Sequence, residues 1–212
     1  MKLAVIGTAG RKDDAARLSG TMFDKMYIKL LQVIDHIERY GPEPVDTLVS
    51  GGAAYADHLA VHHFLHSRDR KLNLELHLPC RFFLVQGKFE DDGSRDWKNN
   101  PGGTLNYYHR KMAFDSLDEL TIAIDSPGCV TSCGEGLFGR NKRIAQAADA
   151  VVAFTFGQGA MLKPGGTADT MQHYMLEKLF DRRFKTYVTY HVDLNTMIAY
   201  PQALLPEVAS HA

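Results

Sequence analysis

Apolar and polar positions alternate in blocks along this chain. Val5 and Ile6 sit in a short apolar run closed by Gly7, the pattern of a buried parallel strand. Over residues 21–40, Phe23, Met26, Tyr27, Leu30, Leu31, Ile34 and Ile37 recur at three-and-four spacing, which predicts an amphipathic helix stopped by Gly41-Pro-Glu-Pro44. A second strand is expected at 46–50, with a helix over 53–67. Alternation over 72–78 predicts a third strand. Residues 80–103, rich in charge, Asn and Gly and holding the only tryptophan, Trp97, have no clear period and read as an insertion or lid. Beyond it the pattern predicts a helix at 104–117, a strand at 120–124, a glycine-rich loop over 125–139 and a helix at 140–148. A strand at 149–156, a helix near 167–180 and a strand at 186–191 follow, and the tail from 195 onward is weakly patterned. Strands alternating with helices predict an α/β fold: a Rossmann-like, doubly wound, mostly parallel sheet with helices on both faces. No internal repeat is visible, and 212 residues suit one domain spanning 1–212.

Glycines punctuate this pattern at chemically meaningful places. Gly7-Thr-Ala-Gly-Arg11, Ser50-Gly-Gly-Ala53 and Pro164-Gly-Gly-Thr167 each follow an apolar run and precede a helix-like segment. Such turns present backbone N–H groups at the positive end of a helix, where anions bind. In a doubly wound sheet they share the carboxyl edge of the strands, where ligands are held. The candidate ligand contacts are therefore Gly7, Thr8, Gly10, Arg11, Ser50, Gly51, Gly52, Ala53, Gly165, Gly166 and Thr167, with Asp57 or Asp169 for sugar hydroxyls. Each motif also has a plainer reading: a tight turn for Gly7–Arg11, and an ordinary helix cap for Thr167. The pattern is not a dinucleotide fingerprint, because the third glycine and the acidic residue after strand two are missing.

Arg140 and Asn141 open the helix predicted at 140–148. A cation there opposes the helix dipole, so Arg140 needs an anionic partner: a ligand phosphate, Asp125 or Glu135. Lys142 and Arg143 read as solvated. An aromatic of the insertion, Trp97 or Phe89, is placed to cover a base. His58, His62, His63 and His66 crowd one helix, with i, i+4 pairs that suit a metal. No third ligand is defined in sequence, so they read as solvated or packed histidines and no metal or other cofactor is expected.

The composition narrows the classes. A formal net charge of −1 disfavours nucleic acid and anionic membrane as partners. No apolar run approaches the roughly 20 residues of a membrane span. Three cysteines, Cys80, Cys129 and Cys133, are too few for a disulfide framework. With no signal peptide visible, a cytoplasmic location is expected.

The motifs taken in order resemble the SLOG superfamily, the Rossmann-like group that includes the DprA DNA-processing protein and the LOG cytokinin-activating enzymes. The YspA-like branch is the most similar in look. The resemblance rests on Gly7 to Arg11, Gly51 to Asp57, Arg140-Asn141, Asp149 to Phe154 and Gly165 to Thr167, and spans most of residues 1–190 outside 80–103. It implies a nucleotide or nucleotide-derived ligand and a homo-oligomer, a dimer or larger. LOG enzymes hydrolyse the bond between base and ribose 5′-phosphate with the glutamate of Pro-Gly-Gly-x-Gly-Thr-x-x-Glu. Here that position holds Thr170 or Gln172, depending on alignment, and Tyr108-His-Arg-Lys-Met112 only echoes the LOG Met-His-x-Arg-Lys run. The expected function is thus capture of a nucleotide-type ligand, as a sensor or sequestering protein. The alternative is a nucleotide N-glycosidase or transferase using Glu135 or Asp169.

Overall fold

A computed structural model of the chain describes residues 1–67, 71–180 and 188–202. In chain order the elements are β1 (Lys2–Gly7), α1 (Gly20–Tyr40), β2 (Thr47–Ser50), α2 (His58–His66), β3 (Asn73–Leu78), β4 (Phe82–Phe83) and β5 (Lys88–Phe89). Then come α3 (Pro101–His109), α4 (Ser116–Asp125), β6 (Cys129–Cys133), α5 (Gly136–Ala147), β7 (Ala150–Thr155), α6 (Gly166–Phe180), β8 (Val188–Asp193) and β9 (Ile198–Gln202).

The fold is α/β and doubly wound, as the alternation of strands and helices predicts. Seven strands form one sheet in the order β6-β3-β2-β1-β7-β8-β9, parallel except for β9. The chain steps outward from β1 through β2 and β3 to β6. It then returns along α5 to β7, on the other side of β1. The strand order therefore reverses between β1 and β7, the position where open α/β sheets bind ligands.

Successive residues of a strand point to opposite faces. Leu3 and Val5 of β1 join the core under α1, α2 and α4, whereas Ala4 and Ile6 pack beneath α5 and α6 with Ile144, Met171 and Tyr174. Helix α1 buries Phe23, Met26, Leu30, Val33, Ile34 and Ile37, and Ser19 caps it by accepting the Met22 N–H at 3.1 Å. Each such side chain withdrawn from water stabilises the fold by about 1.5–3 kcal/mol.

Several expectations need correction. The β-branched run at 120–124 is not a strand: it lies in α4, where Asp115 caps the start by accepting the Asp118 N–H, and Leu120 and Ala123 are buried one turn apart. The strand of this region is β6, inside the stretch expected to be a glycine loop. Its residues are mostly exposed because it is the sheet edge, so no apolar run marks it. The helix expected at 104–117 ends at His109, the one expected at 53–67 begins at His58, and the one expected at 140–148 begins at Gly136. Of the strand expected at 186–191, residues 186–187 lie outside the described set.

The insertion at 80–103 is a folded layer. β4 and β5 pair antiparallel, and Asn106 exchanges two hydrogen bonds with the backbone of Phe89 at 2.9 and 3.0 Å. Asn100 caps α3 by accepting the Gly103 N–H at 2.9 Å. Phe89 is fully buried in the core and is not available to cover a base.

Candidate functional site

The turns after β1, β2, β6 and β7 all emerge at the carboxyl edge of the sheet. Three of them hold a non-glycine residue in the left-handed region: Lys12 at φ 53°, Tyr55 at 59° and Glu135 at 60°. Such residues cost on the order of 1–3 kcal/mol each and gather where function fixes the backbone.

The β2 turn is the buried floor of the site. Residues 51–60 are all buried. The Asp57 carboxyl group, 4% exposed, turns back beneath this loop and accepts the Gly7 N–H at 3.2 Å, and the nearby backbone N–H groups of Gly51 and Ala53 favour its charged form. Ser50 Oγ donates to the Asp57 carbonyl at 2.7 Å and accepts the Gly52 N–H at 3.2 Å. Of the amides expected to cradle phosphate, that of Gly52 is thus taken by Ser50 Oγ, and those of Gly51 and Ala53 lie beside the Asp57 carboxyl group. Asp57 clasps the β1 and β2 turns together rather than facing a sugar. Gly7 is indispensable here, since a methyl group on it would overlap the Phe154 carbonyl oxygen and the Ala56 side chain.

His109, which the sequence offers only within the Tyr108–Met112 run, supports the floor from below. Its Nε2–H donates to the Gly52 carbonyl at 3.0 Å, and Nδ1 accepts from Ser116 Oγ at 2.9 Å. Burial, with His58 beside it, pushes its pKa down to about 3, so the ring is neutral. In sequence it figures only as the histidine of Tyr108-His-Arg-Lys-Met112, and no local pattern there marks its burial or its partners.

Above the floor lies a buried cation. The Arg140 side chain is 12% exposed, and Nη1 lies 3.9 Å from Asp57 Oδ2. It also donates to Asn141 Oδ1 at 3.1 Å, with longer contacts of 3.4 Å to the same oxygen and 3.5 Å to the Gly51 carbonyl. Its partner is therefore Asp57, not Asp125 or Glu135. Arg143, one turn further along α5, is not solvated. It donates to the carbonyls of Leu78 and Gly134 at 2.9 Å each, while its buried Nε has no partner among the described residues. Burial is the main cause that lowers the Arg140 pKa, and Arg11 and Arg143 push the same way, whereas Asp57 opposes it. Burial likewise raises the Asp57 pKa, against the pull of Arg140. Three guanidinium groups thus lie near one another, and Asp57 pairs with one of them, Arg140.

The other turns remain open. Arg11 is exposed, with its guanidinium 5.2 Å from the centre of the Trp97 ring. Trp97, 39% exposed, lies 6.0 Å from the ring of Phe138 on α5, so the insertion folds onto the site. Thr8 Oγ1 is engaged, donating to Asp14 Oδ2 at 2.8 Å and accepting the Gly10 N–H at 3.2 Å. Asp14 is also paired with Lys163 at 2.6 Å, tying the β1 turn to the β7 loop. Gly165 and Gly166 are exposed at the start of α6, whose first-turn N–H groups have no intrahelical acceptor. Asn141 is buried and donates to the Gly166 carbonyl at 3.3 Å and to Asp169 Oδ2 at 3.0 Å, fixing this turn and its carboxylate. Asp169 is partly exposed beside Thr167, and Glu135 is exposed at the start of α5. Thus Arg11, Arg140, Asn141, Gly165, Gly166, Thr167 and Asp169 gather around one open edge, and Ser50–Ala53 and Asp57 lie beneath it.

A cavity of about 540 Å³ lies at the opposite edge, at the amino ends of β3 and β6, lined by Phe64, Leu72, Ile122 and Pro127. It holds a single charged side chain, Lys71, and none of the glycine turns. The carboxyl edge is the better candidate on chemical grounds.

Comparison with known proteins returns an uncharacterized protein, R261, of Acanthamoeba polyphaga mimivirus. The two are 40% identical over 182 residues, covering 80% of this chain and 88% of the viral protein. The chain belongs to that protein's family. No protein-family model matches the sequence. Among the described residues no helix is long and apolar enough to cross a membrane.

Proposed function

We propose that the protein captures a phosphorylated, nucleotide-type small molecule at the carboxyl edge of its sheet. The observation behind this reading is the buried guanidinium of Arg140 at the strand-order reversal, which has Asp57, at 3.9 Å, as its one carboxylate partner among the described residues and lies near the like charges of Arg11 and Arg143. A ligand phosphate supplies a further anion and completes the Arg140 fork through charge-assisted hydrogen bonds. The exposed start of α6 at Gly165–Thr167 gives the phosphate backbone donors. Trp97 and Phe138 offer aromatic faces for a base, and Asp169, held by Asn141, takes sugar hydroxyls. The resemblance of these motifs to the SLOG superfamily favours the same ligand class, with cytoplasmic location and self-association as further expectations.

Asp169 also supports the rival reading, an N-glycosidic hydrolase. A partly exposed carboxylate beside the phosphate turn is placed to stabilise a developing ribosyl cation. Incubation of the pure protein with a nucleotide pool, followed by mass spectrometry of the pool and of the heat-released bound fraction, separates the two. An intact nucleotide recovered from the protein fraction supports capture. Free base with ribose 5-phosphate, abolished by Asp169→Asn, supports hydrolysis. An empty protein and an unchanged pool would overturn both.

A further inference from the structure

Away from this edge, the histidine stripe of α2 meets a carboxylate that the sequence does not reveal. His58, His62 and His66 stand at i, i+4 and i+8, and Glu119 of α4 reaches them from the neighbouring helix. One ligand atom each from His62, His66 and Glu119 lies within 4.8 Å of the other two. Tetrahedral zinc, bound at 2.0–2.1 Å, holds its ligand atoms roughly 3.3 Å apart, so a modest swing, chiefly of the exposed His66 side chain, closes the set.

The surroundings already prepare these ligands. His66 Nδ1–H donates to the His62 carbonyl at 2.8 Å, which fixes the tautomer and leaves Nε2 with its lone pair. Donation of the second ring N–H to a carbonyl is the usual support of a metal-bound histidine. His62 is positioned edge-on by the rings of Phe23 at 5.4 Å and Tyr27 at 4.9 Å, and its imidazole lies 4.1 Å from that of His66. His62 Nδ1 is 3.0 and 3.1 Å from the two Glu119 oxygens. The fully buried His58 holds the same carboxylate from beneath, with Nε2–H donating to Oε2 at 3.0 Å. His66 is exposed, so a cation has an entry path.

We propose that His62, His66 and Glu119 form a site for a zinc-class divalent cation that staples α2 to α4. Two imidazoles and a carboxylate are the nitrogen and oxygen donors such ions prefer, and the fourth position is left for water. The site stands independently of the carboxyl edge, although Asp57, just before α2, lies there.

The test uses the full chain, stripped with a chelator and titrated with zinc alone by calorimetry, then with cobalt(II) for its visible spectrum. One equivalent of zinc, a four-coordinate cobalt band and a raised thermal midpoint are expected. His66→Ala, an exposed change that spares the fold, should weaken zinc binding at least ~10-fold and remove the band, given that even supporting-residue changes cost 10–100-fold. Glu119→Gln should do the same, while His36→Ala on α1 should bind as wild type does. No uptake by the wild-type chain, or equal affinity and stoichiometry in wild type and His66→Ala, would overturn the proposal.

Discussion

His109→Gln is expected to change how stability depends on pH more than stability itself. His109 is 1% exposed and its pKa is pushed from 6.5 to about 3, chiefly by burial. In the unfolded chain it takes a proton near 6.5, so below that pH the unfolded state binds more protons than the folded state. Stability is therefore lost as pH falls from about 6.5 toward 3 and is fully present above that window. At about 1.4 kcal/mol per pH unit in the window, acidification from pH 7 to pH 5 removes about 2 kcal/mol through this residue alone. For a chain of this size that is a drop of roughly 4–8 °C in the unfolding midpoint. Glutamine can still donate to the Gly52 carbonyl and accept from Ser116, but it does not titrate. At pH 7 the variant should be less stable by about 1–2 kcal/mol, as for a typical substitution. By pH 5 the gap should close or reverse. His58, also depressed by burial, remains in both proteins, so the difference between their profiles isolates His109. Urea unfolding at pH 7, 6 and 5 gives the numbers. Parallel pH profiles for the two proteins would refute a neutral, buried His109.

Three further outcomes follow from the site. Gly7→Ala forces a methyl group into the Phe154 carbonyl and Ala56, so the chain should fold poorly or lose at least ~3 kcal/mol in thermal or chemical unfolding. Asp57→Asn leaves Arg140 buried beside a neutral group and places an amide against the Gly7 N–H that Asp57 now receives; a loss of about 3–5 kcal/mol is expected by urea denaturation. Trp97→Ala, at a 39% exposed position, should shift the thermal midpoint little yet weaken nucleotide affinity ~5-fold or more, since stacking contributes roughly 1–3 kcal/mol per base.

The fold was legible where burial imposed a period. Leu3–Ile6 and Ala150–Phe154 are covered on both faces and read as continuous apolar runs, and α1 shows its stripe from Phe23 to Ile37. It was illegible where tertiary position overrides propensity. Cys129–Cys133 is an exposed edge strand with no apolar signature, while Leu120-Thr-Ile-Ala-Ile124 has strand-like composition but caps and packs as a helix. In the site, the glycine turns announced the edge but not their division of labour. Whether Ser50–Ala53 faced a ligand or the core depended on Asp57, whose inward turn is a tertiary fact. The spacing does place Arg143 three positions on from Arg140, along one helix face, which is the signal for its nearness to the site. Asp14, three residues after Arg11, opens a short turn, yet its pairing with Lys163 joins positions too far apart in sequence for any local pattern. Glu119 was hidden for the same reason, which is why the histidine stripe of α2 lacked a third ligand.

The most direct test of ligand capture at the carboxyl edge is equilibrium binding of a nucleotide panel to wild type and Arg11→Glu. Arg11 is exposed, so its reversal should spare the fold, which the thermal midpoint will verify. A charge-assisted contact worth about 1.5–3 kcal/mol predicts at least ~10-fold weaker binding of the best ligand by the variant, and a smaller salt dependence. Equal affinity in both proteins, or no binding by wild type, would contradict the account.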